Sequence, residues 1–268
     1  MSSSHQNRAV PSLGVQALAV LGFACLYIPL VSLVVYSFLD VPQVPGGPRS
    51  WTLLWYEKML QNHVVLEAFQ QSLVVGFWTT LCATLIGTAA ALALTRSRFP
   101  GRKVFEVFTY LPLIMPEIVL GLALLTWFVF LKLTLGTFSI VLAHVTFSMS
   151  YVIMTVKARL EGFDELLEEA AQDLGASAWS TFWRVTLPLI WPGVLSGALM
   201  AFTLSFDDFL ITFFTSGTGS DTLPLKIYSM IKFGVTPEIN ALSTVMLVVT
   251  FFLVFVFFNP KKASVTQL

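Results

Sequence analysis

The chain has 268 residues, 56% of them hydrophobic and only 11% charged, and its fifteen basic residues balance fifteen acidic ones. A soluble domain carries about 25% charged residues. This composition, with a mean hydropathy of +0.80, excludes an ordinary water-exposed domain.

A run of about 18 or more apolar residues without charge reads as a membrane-spanning helix. Six such stretches follow one another, at 15–39, 72–95, 119–131, 135–156, 189–214 and 241–258. The third is short and extends back through Pro112 and Pro116. The whole of 1–268 therefore reads as one transmembrane domain of all-α class, with little room for a separate soluble unit. The first stretch is too long for a signal-peptide core of about 7–15 residues and lacks a small-x-small cleavage pattern, so it is expected to remain as an anchor. Cys25 and Cys82 fall inside apolar stretches and behave as small hydrophobes.

After the first stretch comes the Pro/Gly-rich turn "DVPQVPGGPRSW", in an outer loop at 40–65. Trp51, Trp55 and Tyr56 then suit the aromatic belt at a membrane surface. "RSRFPGRK" reads as a short basic turn, and the partly apolar loop at 216–238 is expected to hold a short helix. Gly87 and Ala91, then Gly193, Gly197 and Ala201, repeat small residues at four-residue spacing, which lets helices approach closely. Packing inside the bundle is favoured over a subunit interface.

Lys and Arg accumulate in cytoplasmic loops. Arg8, Arg96, Arg98, Arg102, Lys103, Lys157, Arg159, Arg184, Lys261 and Lys262 share one side of the six-span plan. Only Arg49, Lys58, Lys132, Lys226 and Lys232 share the other. Both termini are thus expected to be cytoplasmic.

The loop at 159–187 differs from the rest. Its segment "FDELLEEAAQDLG" (163–175) concentrates Asp164, Glu165, Glu168, Glu169 and Asp173. Asp164 can cap a helix, Glu165 and Glu168 suit its positive end, and Gly175 suits its terminus. Phe163, Leu167, Ala170 or Ala171, and Leu174 recur at helical spacing. The alanine pair leaves one face with little bulk, so another protein's surface can come close. A second short helix, "SAWSTFWRVTLP", is expected with Ser177 as its cap, and Trp179, Phe182 and Trp183 at the membrane interface. Pro188 and Pro192 then start the fifth stretch. A solvated loop helix is the plainer reading of a charge run, but a structureless loop of about thirty residues is unusual in so compact a chain.

Glu169-Ala170-Ala171, then Gly175 after three residues and Leu187-Pro188 twelve positions beyond it, resemble the EAA motif of ABC-importer permeases. The one departure is Val185 at the motif's Ile position. The resemblance implies a type I importer permease fold of six transmembrane helices, with a cytoplasmic coupling helix that docks on an ATP-binding subunit. Glu169, Ala170, Ala171, Gly175, Leu187 and Pro188 would then serve ATPase coupling. No G-x-x-x-x-G-K-[ST] phosphate loop occurs. This chain is therefore expected to be no enzyme and to carry no cofactor, with ATP and Mg on the partner subunit.

Charged residues within the membrane cost roughly 2.5–3.5 kcal/mol on insertion scales and usually face a pathway or a partner. Asp207 and Asp208 lie near the outer end of the fifth stretch, and Glu117 follows Pro116 in the third. Adjacent helical positions differ by about 100°, so one aspartate can face the pathway while the other caps, pairs or reaches the outer surface. Bonding to backbone or helix neighbours alone remains open for either. No obvious basic neighbour stands near these acids, an arrangement that favours a cationic solute. His144 is expected to bond a neighbouring helix rather than ligate substrate, and no metal-ligand spacing occurs.

Residues 197–245, "GALMAFTLSFDDFLITFFTSGTGSDTLPLKIYSMIKFGVTPEINALSTV", resemble the spermidine/putrescine branch of these permeases, the second permease of the pair in particular. That resemblance implies an inner-membrane complex of two related permeases, two copies of an ATPase and an external polyamine-binding protein, with no nucleic acid. Two other classes stand beside it. An ABC permease for another small solute would share the EAA segment. An ion-coupled secondary transporter would use the same intramembrane acids without needing it, and would usually show repeated, broken helices.

Overall fold

The computed structural model describes residues 13–40, 49–162, 164, 166–234 and 236–257. Phe163, Glu165, Arg8, Lys261, Lys262 and most of the "DVPQVPGGPRSW" turn lie outside the described residues. The chain begins with α1 (Leu13–Ser37), apolar on every face and carrying Pro29 within it. Helix α2 (Leu54–Gln61) follows a single antiparallel bridge between Leu39 and Trp51. Of the expected belt residues, Trp51 is exposed. The other two turn back onto the end of α1: the Trp55 indole donates to the Leu39 carbonyl at 3.0 Å, and the Tyr56 hydroxyl lies 2.7 Å from Ser37 Oγ.

Helix α3 (His63–Arg96) starts at Asn62, whose side-chain oxygen accepts from the Val65 amide at 3.4 Å. Its Nδ2 donates to Glu238 at 2.8 Å, tying this start to a distant helix. Next come α4 (Arg102–Ile114) and α5 (Glu117–Phe130), bent by 115° at their junction. Pro116 has no amide hydrogen and disfavours helical geometry at the residue before it; Met115 is accordingly extended, at φ −72° and ψ 138°. The expected third span, interrupted at its prolines, is drawn as two helices around this break.

Helix α6 (Thr137–Glu161) is followed by α7 (Leu166–Asp173) and α8 (Ala178–Thr181). Ser177 caps α8 as expected, accepting from the Ser180 amide at 3.3 Å. A π-helical turn (Phe182–Thr186) then joins α8 to α9 (Leu187–Asp207), so helical geometry runs unbroken from Ala178 to Asp207. Two expectations change here. Pro188 does not start a new helix after a gap: the π turn carries the helix into it, and such a local adjustment is one way a membrane helix tolerates a missing amide. The fifth span also stops at Asp207 rather than at 214, and α10 (Leu210–Thr215) is separate. Helix α11 (Leu223–Lys232) is the expected loop helix, and α12 (Pro237–Phe257) ends the described fold.

The core is the seam of α3, α6 and α9, where Ala83, Ala91, Val152, Val156, Ile190 and Ala201 are buried. The four-residue glycine spacing lies in this seam. A Cβ placed on Gly87 would stand 2.8 Å from Val152 Cβ, one on Gly197 3.2 Å from Val152 Cα, and one on Gly193 2.8 Å from Arg159 Cβ. Small-residue packing is therefore internal to the bundle. Helix α1 packs against α12 at its margin and remains largely exposed.

Among the described residues, four helical segments are long and apolar enough to cross a membrane: 14–37, 63–96, 137–161 and 178–207. The bent α4–α5 pair makes a fifth if counted as one span, while α12 is apolar but shorter over its described part. Among the described residues, length and composition thus give four or five spans, where the sequence suggested six.

Candidate functional site

The three acidic candidates meet around one pocket. It measures about 280 Å³ and is lined by Glu117, Phe147, Leu204, Asp207, Asp208 and Phe209, among others. The break at Pro116 places Glu117 in the first turn of α5, where its negative charge suits the positive helix end. Asp207 is the last residue of α9, and its side chain is exposed.

Asp208 occupies a different environment. Its Oδ2 accepts from the Thr212 amide at 2.7 Å and the Thr212 hydroxyl at 2.8 Å, and its Oδ1 accepts from the Ile211 amide at 3.3 Å. The carboxylate therefore caps the start of α10, satisfying amides that no helical carbonyl reaches. His144 Nε2 lies 3.1 Å from Asp208 Oδ2 and 3.0 Å from Thr212 Oγ1, and its Nδ1 is 2.7 Å from Ser205 Oγ. An ionised carboxylate can only accept, so Nε2 carries the proton toward Asp208. The expectation that every acid here lacks a basic neighbour is corrected at Asp208. His144 is fully buried and, as expected, bonds to neighbouring helical segments. Two adjacent aspartates thus divide: Asp208 is consumed by internal bonds, and Asp207 remains open to the pocket beside Glu117.

At the opposite end of the bundle, α7 carries Glu169, Ala170 and Ala171. No residue of α7 is buried, and Leu166, Leu167, Glu169 and Ala170 are exposed. Asp164 begins the segment, its Oδ1 accepting from the Leu166 amide at 3.0 Å. Gly175 ends it at φ +87°, a conformation that glycine adopts without a Cβ clash. Its amide donates to the Gln172 carbonyl at 2.9 Å and that of Ala176 to the Ala171 carbonyl at 3.0 Å, the paired bonds of a Schellman cap. Leu187 and Pro188 lie at the start of α9, half-buried and exposed respectively.

Two polar links at this end had no local signal in the sequence. Glu168 bonds the Thr186 hydroxyl and pairs with Arg96, seventy-two positions away in sequence. Lys157 on α6 pairs with Glu106 on α4, holding the α4 arm against the core.

The bundle thus carries a bent third span, an exposed short helix at one end and a carboxylate pocket at the other. The structure superposes on a chain of a bacterial alginate ABC transporter, crystallised with an alginate-bound periplasmic protein, at a TM-score of 0.70 and 16% identity, over 95% of each chain. The chain belongs to the family described as the binding-protein-dependent transport system inner membrane component, which matches residues 83–260. It is thus an inner-membrane transport component of a family that is not itself catalytic. It is 41% identical to the spermidine/putrescine transport system permease protein PotC of Haemophilus influenzae, over 87% of this chain and 90% of that one. It is also 41% identical to the putrescine transport system permease protein PotI of Escherichia coli K12, over 85% of this chain and 83% of that one.

Proposed function

We propose that this chain is one of two permease subunits in an ATP-driven importer that moves polyamines across the inner membrane by alternating access. The observation that carries this reading is the 41% identity, across nearly the whole chain, to permeases named for spermidine and putrescine. The pocket chemistry is in keeping with it. A polyamine carries several ammonium groups joined by short alkyl chains. Glu117 and Asp207 offer two carboxylates to such groups, and Phe147 and Phe209 line the same pocket with rings. A cation over an aromatic face gains about 0.5–2 kcal/mol, and no such lining suits an anion.

In this reading ATP and Mg²⁺ sit on a separate ATPase present in two copies, and an external binding protein delivers the polyamine. The termini and α7 face the cytoplasm, as the ten-to-five division of Lys and Arg suggests. Glu169, Ala170 and Ala171 are the α7 residues that serve the ATPase contact, the first two exposed and Ala171 half-buried. Gly175, Leu187 and Pro188 set how that helix ends and how α9 begins. Closure of the ATPase pair on ATP displaces α7, the outer mouth opens to accept polyamine, and hydrolysis returns the bundle inward.

The test is ATPase activity and solute uptake of the complete complex in liposomes, with its binding protein and a panel of putrescine, spermidine, an amino acid and sulfate. Stimulation by a polyamine, lost in Glu169→Lys, supports both solute and coupling face. Stimulation by a different solute keeps the importer and overturns the polyamine. Uptake driven by an ion gradient without the ATPase overturns the importer.

A further inference from the structure

We propose that Glu168 is the positioning residue that carries displacement of α7 into the bundle, while its neighbour Glu169 serves the external contact. This rests on α7 being the coupling helix. Glu168 Oε1 accepts from Thr186 Oγ1 at 2.5 Å and lies 3.3 Å from Arg96 Nη2, and its side chain is only 19% exposed. Arg96 is the last residue of α3, and Thr186 is the residue immediately before α9. One carboxylate oxygen therefore joins α7 to the ends of two of the three core helices.

The third core helix is held at the same end by another polar link, Arg159 Nε donating to the Leu189 carbonyl at 3.1 Å. With no buried residue of its own, α7 has no apolar anchor through which to push, and its main packing is against α8 and the π turn. A charge-assisted hydrogen bond is short and roughly twice as strong as a neutral one, so the Glu168–Thr186 link is the firm connection between α7 and α9. Thr186 closes the π turn that leads into α9, an irregularity frequent at functional sites. Glu169, about 100° further round the helix, is exposed.

The experiment uses the complete importer in liposomes, with Glu168→Ala, Glu168→Gln, Thr186→Val, Thr186→Ser and Glu169→Lys made in this chain. Three quantities are read: ATPase subunit retained on purification, ATP hydrolysed, and labelled putrescine or spermidine taken up. Glu168→Ala is expected to keep the ATPase subunit and hydrolyse ATP, while uptake per ATP falls roughly tenfold, within the range of allosteric coupling energies. Thr186→Val is expected to fall in the same direction. Thr186→Ser keeps the hydroxyl and Glu168→Gln keeps an acceptor, so both recover part of the ratio.

A ratio within about twofold of the parent in both Glu168→Ala and Thr186→Val overturns the proposal, because coupling effects begin near fivefold. Loss of the ATPase subunit in Glu168→Ala overturns it as well, since Glu168 is then a docking residue. Retention of the subunit and full coupling in Glu169→Lys would instead sink the reading of α7 itself, whatever Glu168 does.

Discussion

Among the described residues, two pairs of adjacent acids divide by environment: Glu168 and Asp208 make internal bonds, while Glu169 and Asp207 are exposed. In the first pair the cause is helical rotation of about 100° per residue; in the second it is the end of α9 between the two residues. The Asp207-Asp208 split gives a test at the residue scale. Asp207→Asn is expected to raise the polyamine concentration for half-maximal uptake about tenfold, the loss of one charge-assisted hydrogen bond worth roughly 1.5–3 kcal/mol, with thermal stability unchanged. Asp208→Asn keeps a cap acceptor but loses the charge that His144 and Thr212 bond, and should lower stability by about 1–3 kcal/mol and reduce the maximal uptake rate. Uptake titrations and thermal unfolding of the purified protein separate the two. Equal effects of both substitutions on both readouts would refute the division. The acids themselves were visible in the sequence. Which was free was not, because the choice depends on His144 from a different helix.

Elements are set by where helices can and cannot continue. Pro116 was legible as an interruption, but the 115° bend depends on what α4 and α5 pack against. Gly175 was legible as a terminator, and its φ of +87° bears that out. Gly175→Ala is expected to cost about 1–2 kcal/mol locally and to fray the end of α7. Hydrogen exchange at the amides of 172–176 should rise while the core of α3 stays protected. The seam glycines carry a larger penalty. Gly87→Val drives a side chain into Val152, and overpacking of this kind costs about 1–3 kcal/mol or more. Gly22→Val on α1, where nothing lies within 4 Å, should leave the unfolding temperature of the isolated subunit unchanged.

At the scale of the molecule, the bundle has two chemically different ends. One carries α7, Arg96, Arg159 and the Glu106–Lys157 pair; the other carries the carboxylate pocket, α10 and α11. The proposed orientation predicts that in intact cells a membrane-impermeant thiol reagent labels Thr218→Cys and spares Ser177→Cys, with Cys25 and Cys82 replaced. Labelling of Ser177→Cys alone would invert the topology. Both positions are exposed, so accessibility within the protein does not decide the outcome.

By itself the sequence determined the class: too few charges for a water-exposed surface, apolar stretches of membrane length, and an acidic segment whose spacing marks a permease family. These are properties of composition and short-range order, which a chain displays before it folds. Only the tertiary structure decided that the third span is bent, that the fifth stops at Asp207, that Asp208 is held by His144 while Asp207 and Glu117 share a pocket, and that Glu168 reaches Arg96 and Thr186. Each of those depends on side chains brought together from distant helices. Their partners are chosen by packing of the α3, α6 and α9 seam, not by any interval along the chain.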